Sequence, residues 1–313
     1  MILVIIPAAV IAVASLASFA GRWVWWLDVL ANFRAQYVVV LALLGGIVVI
    51  SRWRRSGAAI LAVALLNLIF VAPLYIGSPG ESDPAAPHLW VLSFNLLSTN
   101  ESYSEVIEYI ETVQADLVFL HEASRPWEVA LEAAGLDYEI IRARSENLIF
   151  GTVVLARDEV EAVSHGFAEA QPRAVALHYQ PDGWPVPVEV LSSHTLAPTT
   201  QTRASLRDAQ LAFAANWAAD QEGAYFVVGD LNVTPWSWPF RNLLTKGETR
   251  NSQIGFGLQP TFAATSFAFL RVPIDHLLHS DALLIRDRRL GPSLGSDHFP
   301  LLVNLEYKGP PTP

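Results

Sequence analysis

The chain carries two hydrophobic patterns, and they change over near residue 80. In the first, long apolar runs have no polar face. Residues 2–20 contain no charge, residues 35–50 are uncharged, and residues 58–76 are uncharged and broken only by Asn67 and Pro73. Spanning a bilayer takes about 20 apolar residues. The three runs therefore predict three transmembrane helices within residues 1–76, the middle one short unless it begins nearer Val29, before Arg34. Helices of a soluble bundle normally keep a polar face, which these runs lack. The first run has no basic start and two more follow it, so it reads as a retained anchor rather than a cleaved signal.

After Gly77 the pattern shortens. Residues 77–87, rich in Pro, Gly and acid, read as a linker. Apolar runs of strand length then alternate with stretches of helical spacing. Strands are predicted at 88–94, 116–120, 137–142, 149–156, 173–179, 187–193, 224–229, 272–279, 282–286 and 299–306. Helices are predicted at Ser104–Gln114, Trp127–Ala134 and Thr202–Ala219. Many strands with interspersed helices make the second region, 88–307, an α/β sandwich, followed by a Pro-rich tail at 308–313.

Charge separates the regions further. Of 20 basic and 30 acidic side chains, five Arg and one Asp precede residue 81, which leaves 15 against 29 in the remainder. Nonspecific nucleic-acid binders usually present a basic surface, and this region is acidic in bulk. Arg52, Arg54 and Arg55 sit between the second and third apolar runs. The positive-inside rule places that loop in the cytoplasm and everything after the third helix outside it. The expected location is thus the cell membrane, multi-pass, with the bilayer as partner of residues 1–76. No protein partner is inferable. The chain has no cysteine, which excludes thiolate metal sites and thiol catalysis.

Polar residues cluster where predicted strands end. Asn95 follows Trp90–Phe94, Glu122 follows Leu117–Leu120, and His194 follows Val188–Ser193. Gly229-Asp230-Leu231-Asn232 follows Ala224–Val228, so Asp230 and Asn232 point to the same side of the extended chain. Asp275-His276 follows Val272–Ile274, and Asp297-His298 precedes Phe299–Val303. Each island alone reads as a turn, a cap or a core histidine. Together they place carboxylates, amides and imidazoles at the ends of buried strands. Buried carboxylates are costly without a partner, so a cation belongs among them. Oxygen donors from Asn95, Glu122 and Asp297 suit Mg²⁺, with Mn²⁺ as the alternative. There is no His-Glu-x-x-His helix, no nucleophile elbow and no Walker loop. Metal-assisted phosphoester hydrolysis fits what remains.

The order and spacing of these stretches resemble the endonuclease/exonuclease/phosphatase superfamily. The matching segments are Leu92-Ser-Phe-Asn95, Asp116-Leu-Val-Phe-Leu-His-Glu122, Ser193-His-Thr-Leu196, Val228-Gly-Asp-Leu-Asn-Val-Thr-Pro-Trp-Ser237, Ile274-Asp-His276 and Gly295-Ser-Asp-His298. The apolar front resembles that of membrane-anchored bacterial members. The resemblance implies a four-layer α/β/β/α sandwich. It implies Glu122 as principal metal ligand, with Asn95 beside the metal and Asp297 as a further ligand. Asp230 would orient or deprotonate the attacking water, and Asn232 would hold the phosphate. His298 would act at the scissile phosphate with Asp275 fixing its tautomer, and His194 would donate to a phosphate oxygen. His121 stands where the family often has Gln, and no match to the Tyr of the abasic-site endonucleases is found.

These features predict a membrane-tethered, Mg²⁺-dependent phosphoesterase, with a lipid or small-molecule phosphoester favoured as substrate. A metal-dependent nuclease is the alternative. A catalytically inactive binding module on the same fold is the second. Arg203 and Arg207 read as solvated helix residues rather than substrate contacts.

Overall fold

A computed structural model describes residues 1–77, 86–143, 150–167 and 174–309. Most of the linker expected at 77–87, the end of the tail, and the first residues of the strands expected at 149–156 and 173–179 lie outside the described residues.

The apolar front forms α1 (Ile2–Ala17), α2 (Trp25–Ala31), α3 (Arg34–Val49) and α4 (Arg54–Val71). Small residues face inward, with Ala8, Ala12 and Ala64 packed around Leu41, Val48 and Ile60. Large ones face outward, among them Leu3, Ile6, Val10, Val13, Leu43, Leu65 and Ile69. That is the reverse of a water-soluble bundle and suits lipid, where close backbone packing drives association. Two helices, Ile2–Arg22 and Arg54–Leu74, are long and apolar enough to cross a membrane. The middle segment differs from the single run expected from 35. It is α2 and α3 together, bent by 64°. Arg34 at the bend is buried. Its guanidinium donates to Asn67 Oδ1 and Ser18 Oγ, both at 3.1 Å, and lies over the Phe19 ring. These partners account for a charge inside an apolar bundle.

The rest folds around two six-stranded sheets. The first contains β1 (His88–Asn95), β2 (Leu117–Ser124), β3 (Glu139–Ala143), β4 (Phe150–Ala156), β11 (Leu283–Leu290) and β12 (Leu301–Tyr307), in the order β11-β12-β1-β2-β4-β3. The second contains β5 (Glu161–His165), β6 (Ala174–Tyr179), β7 (Val188–Ser192), β8 (Tyr225–Asp230), β9 (Arg250–Asn251) and β10 (Asp275–His279), in the order β5-β6-β7-β8-β10-β9. Strands β1–β2 and β7–β8 are the parallel pairs.

Both faces of the central strands are buried, which explains their near-continuous apolar runs. Alternation sorts the residues. Val91, Leu117, Phe119, Val190, Phe226 and Val228 fill the space between the sheets. Leu92, Phe94, Val118 and Leu120 point the other way, onto α5 (Tyr103–Val113) and α6 (Arg125–Ala134). Leu191, Val227 and Leu278 meet α7 (Gln201–Ala219) and α8 (Trp238–Lys246). The result is the expected α/β/β/α order of layers. Strands β5 and β9 and helix α8 were not among the expected elements.

Candidate active site

Residues from both sheets converge at one end of the sandwich. From the first sheet, β1 ends at Asn95 and β2 carries Glu122. The β2–β4 register slips between Leu120 and Ala123, a bulge that places two residues where one would pair. Glu122 has φ 55°, so the bulge turns its side chain out of the strand's alternation. From the second sheet, Asp230 and Asp275 lie directly opposite each other in antiparallel β8–β10.

Gly229 makes the close approach possible. Its φ is 137°, and a Cβ there would lie 2.2 Å from the Ser193 carbonyl oxygen and 2.7 Å from His121 Nε2. Only glycine fits such a position without strain. Asn232 also has positive φ, 49°, a conformation that Asn tolerates.

The side chains knit together across the sheets. Asn95 Nδ2 donates to Glu122 Oε1 at 3.3 Å and to Asp230 Oδ2 at 3.0 Å. His194 Nε2 lies 3.8 Å from Glu122 Oε1 and 3.6 Å from Asp230 Oδ2. His298 Nδ1 lies 2.8 Å from Asp275 Oδ2, and its Nε2 lies 3.7 Å from Asp230 Oδ2. The Asp275 contact fixes Nδ1 as the protonated nitrogen and aims Nε2 at Asp230.

Burial and charge set the protonation states. Burial first, then the charge of Asp275, push the Asp230 carboxyl up to about 6. Burial alone drives His298 down, but the charges of Asp275 and Asp230 outweigh it and raise it to about 10. Asp275 is lowered because His298 overcomes the cost of burial. The site thus pairs a carboxyl poised below neutrality with an imidazolium.

Of the residues expected from sequence, Asn95, Glu122, His194, Asp230, Asp275 and His298 are brought together. Asn232 sits beside them, its backbone N–H bonded to Asp230 Oδ1 at 3.0 Å and its side-chain Nδ2 to the Thr195 carbonyl at 2.9 Å. Asp297 is only half-buried, and its carbonyl accepts from Ala264 N–H at 2.8 Å. Ligand atoms of Asp230, Asp275 and His298 all lie within 4.8 Å of one another, a spacing that could hold a metal ion. This trio differs from the ligands expected, Asn95, Glu122 and Asp297. Glu122 remains suited to a hard cation. Its two oxygens accept long contacts of 3.3 Å from Asn95 Nδ2 and Ser98 N–H, with His194 Nε2 at 3.8 Å, and its side chain is partly open.

Several supports were invisible in the sequence. Ser296 Oγ donates to the Asn95 carbonyl at 2.7 Å and accepts from His298 N–H at 3.0 Å, tying the loop before β12 to the end of β1. Arg288, buried and lowered to about 9 by that burial, bonds Ser252 Oγ at 3.2 Å and Gln259. Arg207 is buried too, contrary to the solvated role expected of it. It lies 3.6 Å from Asp28 and 2.8 Å from Asp208, and reaches the Asn232 carbonyl at 3.4 Å. Arg203 is exposed, as expected.

Two sheets, a bulged glutamate and an acid–imidazole centre define a hydrolase of the sandwich type. The chain belongs to the Endonuclease/Exonuclease/phosphatase family, whose sequence profile matches residues 92–298. No curated protein matches the chain. Among solved structures it is similar to a humanized zebrafish TDP2 (D. rerio), with 15% identity and a TM-score of 0.58 over 70% of this chain and 99% of that one. A conserved protein of unknown function from Enterococcus faecalis V583 gives 15% identity and a TM-score of 0.59, over 70% and 100%. An endonuclease/exonuclease/phosphatase from Beutenbergia cavernae gives 15% and 0.55, over 71% and 72%. At these identities the likeness is one of fold.

Proposed function

We propose that this chain is a membrane-tethered phosphoesterase that uses activated water and a divalent metal, Mg²⁺ or Mn²⁺. The observation that carries the reading is the Asn95 amide, which bridges Glu122 of one sheet to Asp230 of the other. Glu122 and Asn95 would hold the ion, with Asp297 as a further ligand. When bound, it supplies positive charge against the phosphate.

The chain's own groups do the rest. Asp230, near 6, takes a proton from the attacking water. The water oxygen bonds to phosphorus as the ester P–O bond breaks, and His298 Nε2 delivers a proton to the leaving oxygen. Asp275 holds that imidazolium in place. His194 and the remaining Asn232 N–H offer hydrogen bonds to phosphate oxygens.

The acidic balance after residue 80 favours a lipid or small phosphoester over nucleic acid. An outside location for the catalytic region is supported by the bundle itself. The start of α3 and the end of α4 touch that region, so the turn carrying Arg52, Arg54 and Arg55 lies at the opposite end. A C-terminal reporter fusion active only in the cytoplasm would reverse this orientation.

The full chain in detergent with Mg²⁺ or Mn²⁺ should hydrolyse bis(p-nitrophenyl) phosphate. Glu122→Gln, Asp230→Asn and His298→Ala should each lower kcat by about 100-fold or more, with circular dichroism unchanged. Full activity in all three variants overturns the assignment.

A further inference from the structure

The catalytic region rests on the bundle through two of the loops that frame its site. In residues 232–238, Thr234 Oγ1 donates to Asn32 Oδ1 at 3.0 Å, Trp236 Nε1 to the Phe70 carbonyl at 3.0 Å, and Trp238 N–H to Asp28 Oδ1 at 2.8 Å. In residues 262–272, the carbonyls of Phe269 and Arg271 accept from Gln36 Nε2 at 2.9 and 3.1 Å. Asn32, Gln36 and Phe70 all belong to the same end of the bundle. These two loops therefore lie on the bundle side of the catalytic region.

The loop 262–272 links that end to the chemistry. At its base, Phe262 bridges to both Val272 and His298, and its ring lies 5.0 Å from the His298 ring. At its tip, Phe267, Phe269 and Leu270 are exposed by 84%, 49% and 49%. Such a triplet is costly in water. Its height is set by Gln36, which lies in the first turn of α3. Trp23, Trp26 and Tyr75 are exposed at the same end, an aromatic belt of the kind found where membrane meets water. Between the tip and the helices runs a groove of about 350 Å³, lined by Val39, Leu68, Val71, Leu258 and Phe269, with Arg271 beside them.

We propose that the 262–272 loop dips into the bilayer interface, and that the substrate is a lipid phosphoester. Its acyl part stays in the membrane along the groove while its phosphate reaches His298. This rests on the phosphoesterase reading above and names the substrate class for it. The apolar groove beside the bundle and the exposed aromatic tip fit an acyl chain and not a polar leaving group.

Two measurements test it in the full chain, reconstituted in phosphatidylcholine–phosphatidylglycerol nanodiscs. The chain has no cysteine, so single nitroxide labels are clean. A label at Phe267→Cys should collide with oxygen several-fold more, relative to an aqueous nickel chelate, than a label at Val163→Cys on the outermost strand of the second sheet. Equal accessibility at the two positions overturns bilayer contact, whether or not the enzyme is active. In the second measurement, the double variant F267S/L270S should lose at least tenfold of its activity on phosphatidylglycerol, phosphatidylethanolamine or phosphatidic acid in the disc. Its hydrolysis of bis(p-nitrophenyl) phosphate should stay within twofold. Equal losses on both, or a wild type that cleaves the soluble diester and no lipid, overturns the substrate class. A wild type that cleaves neither overturns the phosphoesterase reading itself, and the label then still decides the contact.

Discussion

Gly229 shows how one residue type is imposed by its neighbours. Positive φ and a carbonyl 2.2 Å from any Cβ leave no room for a side chain. Gly229→Ala should destabilise the fold by about 3–5 kcal/mol, combining backbone strain with overpacking. The check is a thermal melt of the purified full chain. Because the displaced groups are Ser193 and His121, activity should fall further than stability alone explains. The residues around this glycine were legible in the sequence because buried strands end abruptly in polar side chains, as at Asn95, Asp230 and Asp275. The trio Asp230, Asp275 and His298 was legible only as parts. Its closeness depends on the β8–β10 register, which no local pattern encodes. Ser296 and Arg288 gave no signal, since a serine in a loop and an arginine in an edge-like strand usually face water.

At the scale of elements, the contact between α2 and the loop after β8 is the least expected. Asp28 lies in α2, between the first two apolar runs. It is buried, holding Trp238 N–H and facing Arg207. Removing one partner of a buried pair commonly costs 3–5 kcal/mol, and Asp208 remains to offset part of that for Arg207. Asp28→Ala should therefore weaken the docking by about 3 kcal/mol. Hydrogen exchange of residues 233–238 should accelerate accordingly, and unchanged protection would show that Trp236 and Thr234 suffice. Elements were legible where burial imposed a period. Helices α5, α6 and α7 and the central strands match their expected spans within a few residues. Strand β5 was missed because its residues are mostly exposed and lack an apolar run. Helix α8 was missed although Ser237 caps it, its Oγ accepting from Phe240 N–H at 3.4 Å. The bulge in β2 leaves the run Leu117–Leu120 looking like an ordinary strand end.

For the whole molecule, two histidines buried under the sheets tie stability to pH. His276 Nε2 lies 2.8 Å from the Val233 carbonyl, and its Nδ1 is buried without a partner among the described residues. Burial lowers His276 and His279 to about 4 each. Above pH 6.5 both states hold them neutral, so they add no pH dependence. Below it the unfolded chain takes up protons that the folded chain refuses. Their share of the stability should then fall with pH down to about 4, by up to about 1.4 kcal/mol per pH unit for each histidine, opposed below about pH 6 by the raised carboxyl of Asp230. Denaturant titrations at pH 7, 6 and 5 would read this, and His279→Gln should flatten the slope. The α/β/β/α order of layers was legible, because both faces of each sheet are covered and the strands read as apolar throughout. The seating of one region on the other was not, since Thr234, Trp236 and Gln36 are far apart in sequence. The position of β12 has a consequence for how the protein is made. This strand is made after every other strand described, yet it lies between β11 and β1 inside the first sheet, and His298 lies in the loop just before it. A nascent chain that stops before residue 298 has an open gap beside β1 and lacks the imidazole that Asp275 holds. On the reading proposed above, a chain stalled or cleaved before residue 298 lacks its proton donor and is harmless to the phosphoesters around it.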